Sequence, residues 1–235
     1  MSLKELKESL AYACNILAAE GHWDNILGHV SVRIPKQERI FMKPHGFGLE
    51  EIRPNYLIAC NLEGEKVEGR YERHSEVYIH TEIYKARPDV QCVVHTHPPY
   101  AVAFGSRLKP LRPISHEGSI FVNQLPLFDY TTALIRTPEL GRALAKTLGR
   151  HRGALMKNHG IAVVGSSVEE ATLYALFLEK AARIQLLATA SGEPSWSSDE
   201  EARLKYEQIY TPNRLQSMWD YFVRRVKRGR GGSRI

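Results

Sequence analysis

Two histidines one residue apart, His95 and His97, close the apolar run Val93-Val94-His95-Thr96-His97, and Pro98-Pro99 follows at once. In an extended strand alternate side chains share a face, so both imidazoles point the same way at the strand's end. Such a pair can hold one metal ion or stand simply as two surface histidines. A second run, Leu155-Met156-Lys157-Asn158-His159-Gly160, also ends in histidine, and Gly160 is expected to let the backbone turn sharply. Three imidazoles around one ion, with a coordination position left open, are a common form of catalytic metal centre. Glu76, in Arg73-His74-Ser75-Glu76 at the start of a predicted helix, is the carboxylate to set beside it. It can complement the helix dipole, act as general acid/base, or serve as a fourth ligand that substrate displaces. Seven of the ten histidines (His29, His45, His74, His95, His97, His116 and His159) fall at strand ends or Gly/Pro-bearing loops, where α/β folds keep their sites.

The elements that must position these residues follow from pattern. Leu3, Leu6, Leu10, Ala11, Cys14, Leu17 and Ala18 recur at helical spacing, and Gly21 closes that helix. Alternation predicts strands over His29–Ile34 and Arg39–Lys43. Strands at Tyr56–Cys60 and Lys66–Glu68 flank a Glu63-Gly64 turn. A helix from Ser75 to Arg87 stops before Pro88, and a strand from Val90 to His95 follows. Thr137-Pro138 opens another helix, and Ser167 with Glu170 forms a capping box for a long one ending near Ala190. Two further helices span Ser197–Tyr210 and Pro212–Lys227. Strands joined partly by hairpins and partly by helices imply an α/β sandwich with a mixed sheet. Without repeat or linker, residues 1–228 read as one domain and 229–235 as a basic flexible tail.

Composition narrows the function classes. The 235 residues are 43% hydrophobic and 25% charged, enough for a full core, and no stretch suits a membrane span. The net charge of +6 is carried by six basic residues in the last dozen; elsewhere 26 basic residues balance 26 acidic ones. That argues against nucleic-acid binding as a primary function. A charged, helix-like N-terminus and three scattered cysteines, Cys14, Cys60 and Cys92, suit a cytoplasmic protein with reduced thiols.

Gly28-x-x-Ser31-x-Arg33, Pro44-x-Gly46, Ser75-Glu76, His95-Thr96-His97-Pro98 and Asn158-His159-Gly160 occur in an order that resembles the class II aldolase/adducin family over roughly residues 5 to 190. The resemblance implies a three-layer α/β/α sandwich with a mixed central sheet, in a homotetramer with active sites between subunits. It also implies one divalent metal per subunit (Zn, Mn, Fe or Co) on His95, His97 and His159, with Glu76 as the proton-transfer residue. The substrate-binding candidates are His29, Ser31, Arg33, His45, Gly46, His74, Ser75, His116 and Glu117.

The departures from the family pattern bear on substrate. Sugar-phosphate members carry Asn or small hydroxyl residues where this chain has His29, His45 and His74. Small hydroxyls and backbone amides suit a phosphate packed against the main chain, and imidazoles fill that volume. Aldolase members carry a His-Tyr pair in place of His116-Glu117, so the proton donor to a departing aldehyde is replaced. His45-Gly46-Phe47-Gly48-Leu49-Glu50-Glu51 and His116-Glu117-Gly118 look closer to members that decarboxylate hydroxylated aromatic acids. The expected function is therefore a metal-dependent lyase that releases CO2 from a small anionic hydroxy acid. The alternatives are an aldolase or epimerase on a sugar or its phosphate, an iron oxygenase, and a non-catalytic adducin-like module. Lys43 and Arg73 read as solvated charges, and Arg33 as either a substrate clamp or a loop tie.

Overall fold

The computed structural model describes residues 1–106 and 110–231. Ser2 starts the first helix, α1 (Leu3–Leu17), through a capping box with Glu5. A single wide turn over Ala18–His22 ends it, and Gly21 carries the left-handed φ of +94° that lets the chain leave. Four strands follow: β1 (His29–Arg33), β2 (Arg39–Met42), β3 (Ile58–Asn61) and β4 (Lys66–Glu68). Then come α2 (Val77–Ala86), β5 (Cys92–Thr96), α3 (Pro99–Gly105), β6 (Leu127–Phe128) and α4 (Pro138–Leu148). The hairpin of β7 (Gly153–Met156) and β8 (Ile161–Gly165) precedes the long α5 (Val168–Thr189), then α6 (Asp199–Ile209) and α7 (Pro212–Gly231). The expected flexible tail differs: residues 229–231 continue α7, and 232–235 lie outside the described residues. Ser167 caps α5 as expected, yet Glu170 closes back on Ser166 rather than on Ser167, so only half a capping box forms.

Among the described residues the strands form one sheet in the order β4-β3-β2-β1-β5-β8-β7-β6. Only the β6–β7 pair is parallel, so the sheet is mixed. Side-chain alternation assigns each face a helix layer. Val30, Val32, Cys92, Val94, Ile161 and Val163 pack on the side of α1, α3 and α5. Ile40, Met42, Val93, Ala154, Met156 and Val164 pack against α2 and α4 on the other. The result is a three-layer α/β/α sandwich, in which every residue of β5 is buried. Complete burial of a valine contributes roughly 1.5–3 kcal/mol, so Val93 and Val94 hold β5 firmly just before its histidines. The three cysteines are buried free thiols. No helix among the described residues is long and apolar enough to cross a membrane.

Candidate metal centre

Strand register and one tight turn bring the three histidines together. In the β1–β5 ladder His29 stands directly opposite His95, and in the β5–β8 ladder His95 faces Ala162. The β7–β8 turn carries His159 up beside them. Asn158, not Gly160, supplies the left-handed φ there, at +53°. Gly160 is needed for a different reason: a Cβ on it would lie 2.6 Å from the carbonyl oxygen of Thr96 and 2.7 Å from the His97 ring. The turn can therefore press His159 against His97 only if residue 160 has no side chain. One ligand atom from each of His95, His97 and His159 lies within 4.8 Å of the others.

The hydrogen bonds around these rings suit a cation. His95 Nδ1 lies 3.0 Å from the carbonyl oxygen of Ile161, an acceptor only, so it donates there and leaves Nε2 as a bare lone pair. That Nε2 is buried with no hydrogen-bond partner, as are both ring nitrogens of His159. His97 Nδ1 sits 2.7 Å from the carboxylate of Asp24, which orients the ring and leaves Nε2 as the nitrogen free for a ligand. Burial depresses all three pKa values, that of His159 to about 4, with the neighbouring imidazoles adding to the effect at His95 and His159. Neutral imidazoles with unused nitrogens converging on one point are what a divalent ion requires. The residues therefore fit the metal that the resemblance implies.

Glu76 sits at the edge of this group. It occupies the cap position of α2 without capping it, and its Oε1 accepts from Ile135 N at 2.8 Å, from the loop ahead of α4. The same oxygen is 3.6 Å from His159 Nε2. With His159 neutral this is a contact rather than an ion pair. Burial raises the Glu76 pKa, opposed by the Ile135 hydrogen bond. Glu76, His29 and His95 form a second convergent set, again within 4.8 Å.

The other candidates separate. His74 joins the group, its ring centroid 4.5 Å from that of His29, and the exposed His45 stacks edge-on to it at 5.4 Å. Gly46 is left-handed at φ +86°, and Ser75 is exposed beside Glu76. Ser31 faces α2 instead of the open site, its hydroxyl bonded to His80 and Tyr84. Arg33 is a loop tie: its guanidinium donates to the carbonyls of Tyr84, Val90 and Arg87 near the end of α2. Glu117 pairs with Lys180 at 2.7 Å, and with His116 it lines a different cleft beside Tyr210 and Met218.

Four participants escape the sequence reading. Lys43 is fully buried rather than solvated, and its ammonium reaches Ile26 O, His74 Nε2 and Pro44 O at 3.0, 3.2 and 3.4 Å. Burial lowers its pKa to about 8. His22 braces the strand end, its Nδ1 2.9 Å from Thr96 Oγ1. Asp24 orients His97. His80 lies behind His29, and for it a signal existed: Glu76, His80 and Tyr84 are spaced by four, one stripe of α2.

The family profile described as Class II Aldolase and Adducin N-terminal domain matches residues 8–186. This chain belongs to the class II aldolase/adducin family. It is 31% identical over 198 residues to 3,4-dihydroxyphthalate decarboxylase of Arthrobacter keyseri, covering 79% of each chain. It is 32% identical over 189 residues to 4-hydroxy-3-prenylphenylpyruvate oxygenase/4-hydroxy-3-prenylbenzoate synthase of Streptomyces roseochromogenus subsp. oscitans, covering 79% of this chain and 68% of that one. Among solved structures it is similar to L-fuculose 1-phosphate aldolase from Glaciozyma antarctica PI12, with TM-score 0.87, 26% identity, and coverage of 97% and 90%.

Proposed function

We propose that this protein is a metal-dependent carboxy-lyase that removes CO2 from a small hydroxylated aromatic, or related hydroxy, carboxylic acid. The observation that carries the reading is the set of buried, unpartnered nitrogens on His95 and His159 beside Glu76. His95, His97 and His159 hold one divalent ion, of zinc, manganese, iron or cobalt. Once bound, the ion supplies Lewis acidity toward the oxygens of the substrate. Glu76, whose Oε1 is 3.6 Å from His159 Nε2, is the proton donor in this reading. As the bond to the carboxylate breaks, its electron pair stays on the ring carbon, and the Glu76 carboxyl gives its proton to that carbon. The Ile135 amide holds the carboxylate that remains. His29, His45 and His74 pack ring to ring where small residues would suit a phosphate, and Glu117 is engaged with Lys180, which supports loss of CO2 over loss of an aldehyde in this reading.

The active unit we propose is a homotetramer with its sites at subunit boundaries. Trp23 and Leu134 are exposed apolar neighbours of Asp24 and Ile135, the residues that orient His97 and Glu76. Trp23 also lines a cleft of about 880 Å³ with Asn15, Arg53 and Arg225, a surface that a second chain can cover. Trp23→Glu is expected to dissociate the assembly in light scattering and to reduce turnover with it.

The second reading, an aldolase on a sugar phosphate, draws on the likeness to the fuculose-phosphate enzyme. Metal-loaded protein is assayed against ortho-hydroxylated aromatic acids for CO2 and against ketose 1-phosphates for aldehyde. Chelator-sensitive CO2 release supports the carboxy-lyase; aldehyde release alone replaces it with the aldolase. Oxygen consumption with the iron-loaded protein would point instead to an oxygenase.

A further inference from the structure

Behind His29 runs a buried chain of side chains that ends inside the protein. His29 Nδ1 is 2.6 Å from His80 Nε2, His80 Nδ1 is 2.6 Å from Ser31 Oγ, and Ser31 Oγ is 3.0 Å from Tyr84 Oη. Tyr84 Oη closes the chain on two carbonyls, Ser31 O at 3.0 Å and Gln91 O at 3.4 Å. All four residues are buried.

The carbonyl end fixes the direction of every proton. A carbonyl oxygen can only accept, so the single hydroxyl proton of Tyr84 is spent there, and Oη must accept from Ser31. Ser31 then has no proton left for His80, so Ser31 Oγ accepts from His80 Nδ1–H. His80 is neutral, because burial drives its pKa down to about 3. Its one ring proton is on Nδ1, so His80 Nε2 is the acceptor for His29 Nδ1–H. His29 is buried and its Nδ1 donates the ring N–H to His80, which leaves Nε2 as the ring's lone pair. Running the chain the other way would cost Tyr84 its bonds to the Ser31 and Gln91 carbonyls. The chain has no exit to solvent, so it holds a tautomer and does not conduct a proton.

We propose that Ser31, His80 and Tyr84 are positioning residues that lock His29 as a hydrogen-bond acceptor, and that His29 Nε2 receives a substrate hydroxyl beside the metal centre. One nitrogen of His29 lies within 4.8 Å of ligand atoms of Glu76 and His95. Because Nδ1 is committed to His80, Nε2 is what His29 has to offer. A bare lone pair attracts an O–H and repels a carboxylate or phosphate oxygen. The inference rests on the carboxy-lyase reading and sharpens it: the substrate carries a free hydroxyl at this position, and its anionic group binds elsewhere.

The test uses full-length, zinc-loaded protein with 15N-labelled histidine. Long-range 1H–15N correlation is expected to report His29 as the Nδ1–H tautomer in wild type, and as a mixture in Tyr84→Phe. 2-Hydroxybenzoate is then compared with 2-methoxybenzoate by calorimetry. Wild type should prefer the hydroxyl compound, and Tyr84→Phe and Ser31→Ala should each narrow that preference by about tenfold at unchanged zinc content. An Nε2–H tautomer at His29, or a preference that the variants leave unchanged, overturns the proposal. So does loss of zinc from His29→Ala, which would make His29 a ligand. Binding of neither benzoate would overturn the substrate half alone. The tautomer is independent of turnover, so failure of the carboxy-lyase reading would appear separately, as absence of CO2 release with the His29 tautomer intact. A merely structural chain would lower the melting temperature of Tyr84→Phe without moving either the tautomer or the preference.

Discussion

His80 and His95 are both fully buried imidazoles on the same side of the sheet, yet their nitrogens are used differently. His80 spends both on protein, one on His29 and one on Ser31. His95 spends Nδ1 on a backbone carbonyl and leaves Nε2 without a partner, and His159 leaves both nitrogens so. A buried polar atom without a hydrogen bond costs about 1–3 kcal/mol. A fold that satisfies His80 and accepts that cost repeatedly at one point a few ångströms away has reserved the point for a ligand. Burial alone therefore does not separate structural from functional histidines, and nor does one unpartnered nitrogen, which His22 also has; several unpartnered nitrogens converging on one point do.

The widest break in this comparison comes from exchanging the two roles. His95→Ala or His159→Ala is expected to abolish metal retention and activity, while His80→Phe keeps its metal. Elemental analysis of the purified variants reads this directly, and full metal content in His95→Ala would remove the triad as the ligand set. Next in size is Glu76→Gln, which should keep the metal and lose turnover by a factor of about 100 or more. Normal turnover in that variant would take Glu76 out of the reaction. Asp24→Asn is smaller again. It keeps a polar group beside His97 and removes its charge, so metal affinity should fall by about 10–100-fold in a chelator competition. An unchanged affinity would mean that Asp24 only fills space.

How legible these roles were depends on where the partner comes from. The triad was readable because β-alternation and a repeated strand-end histidine are local signals, as with His95 and His97 on one strand. The layers were readable too, since the alternation of Val30, Ser31, Val32 and Arg33 already divides core from site face. What stayed hidden was the assignment of each polar side chain to a partner distant in sequence. Ser31 and His80 are 49 residues apart, and Lys43 meets the carbonyl of Ile26 across 17. Nothing in a linear pattern says that a lysine's charge will be enclosed by carbonyls, or that Arg33 will close the end of α2. The position of Glu117 illustrates the same limit. Its motif gave no sign that the carboxylate would pair with Lys180 on α5.

The smallest expected effect tests the His80 half of the comparison through acid stability. Burial lowers the His80 pKa to about 3 in the folded protein, against about 6.5 in the unfolded chain. Below pH 6.5 the unfolded chain therefore takes up a proton that the folded protein refuses, so stability falls as pH falls. The loss starts near pH 6.5 and continues toward pH 3, with no contribution above neutrality. His29, Ser31 and Tyr84 are the groups that face this ring, and none offers it a negative charge at these pH values. His22, with a pKa also near 3 through burial, acts in the same direction and is common to both proteins compared. Metal-stripped wild type should thus lose up to about 2 kcal/mol more than His80→Phe between pH 7.5 and 5 in urea unfolding, the contribution of this one histidine. Parallel pH profiles for the two would show that His80 is protonated without penalty. In that case a chain that depends on its neutrality could not hold His29 in one tautomer.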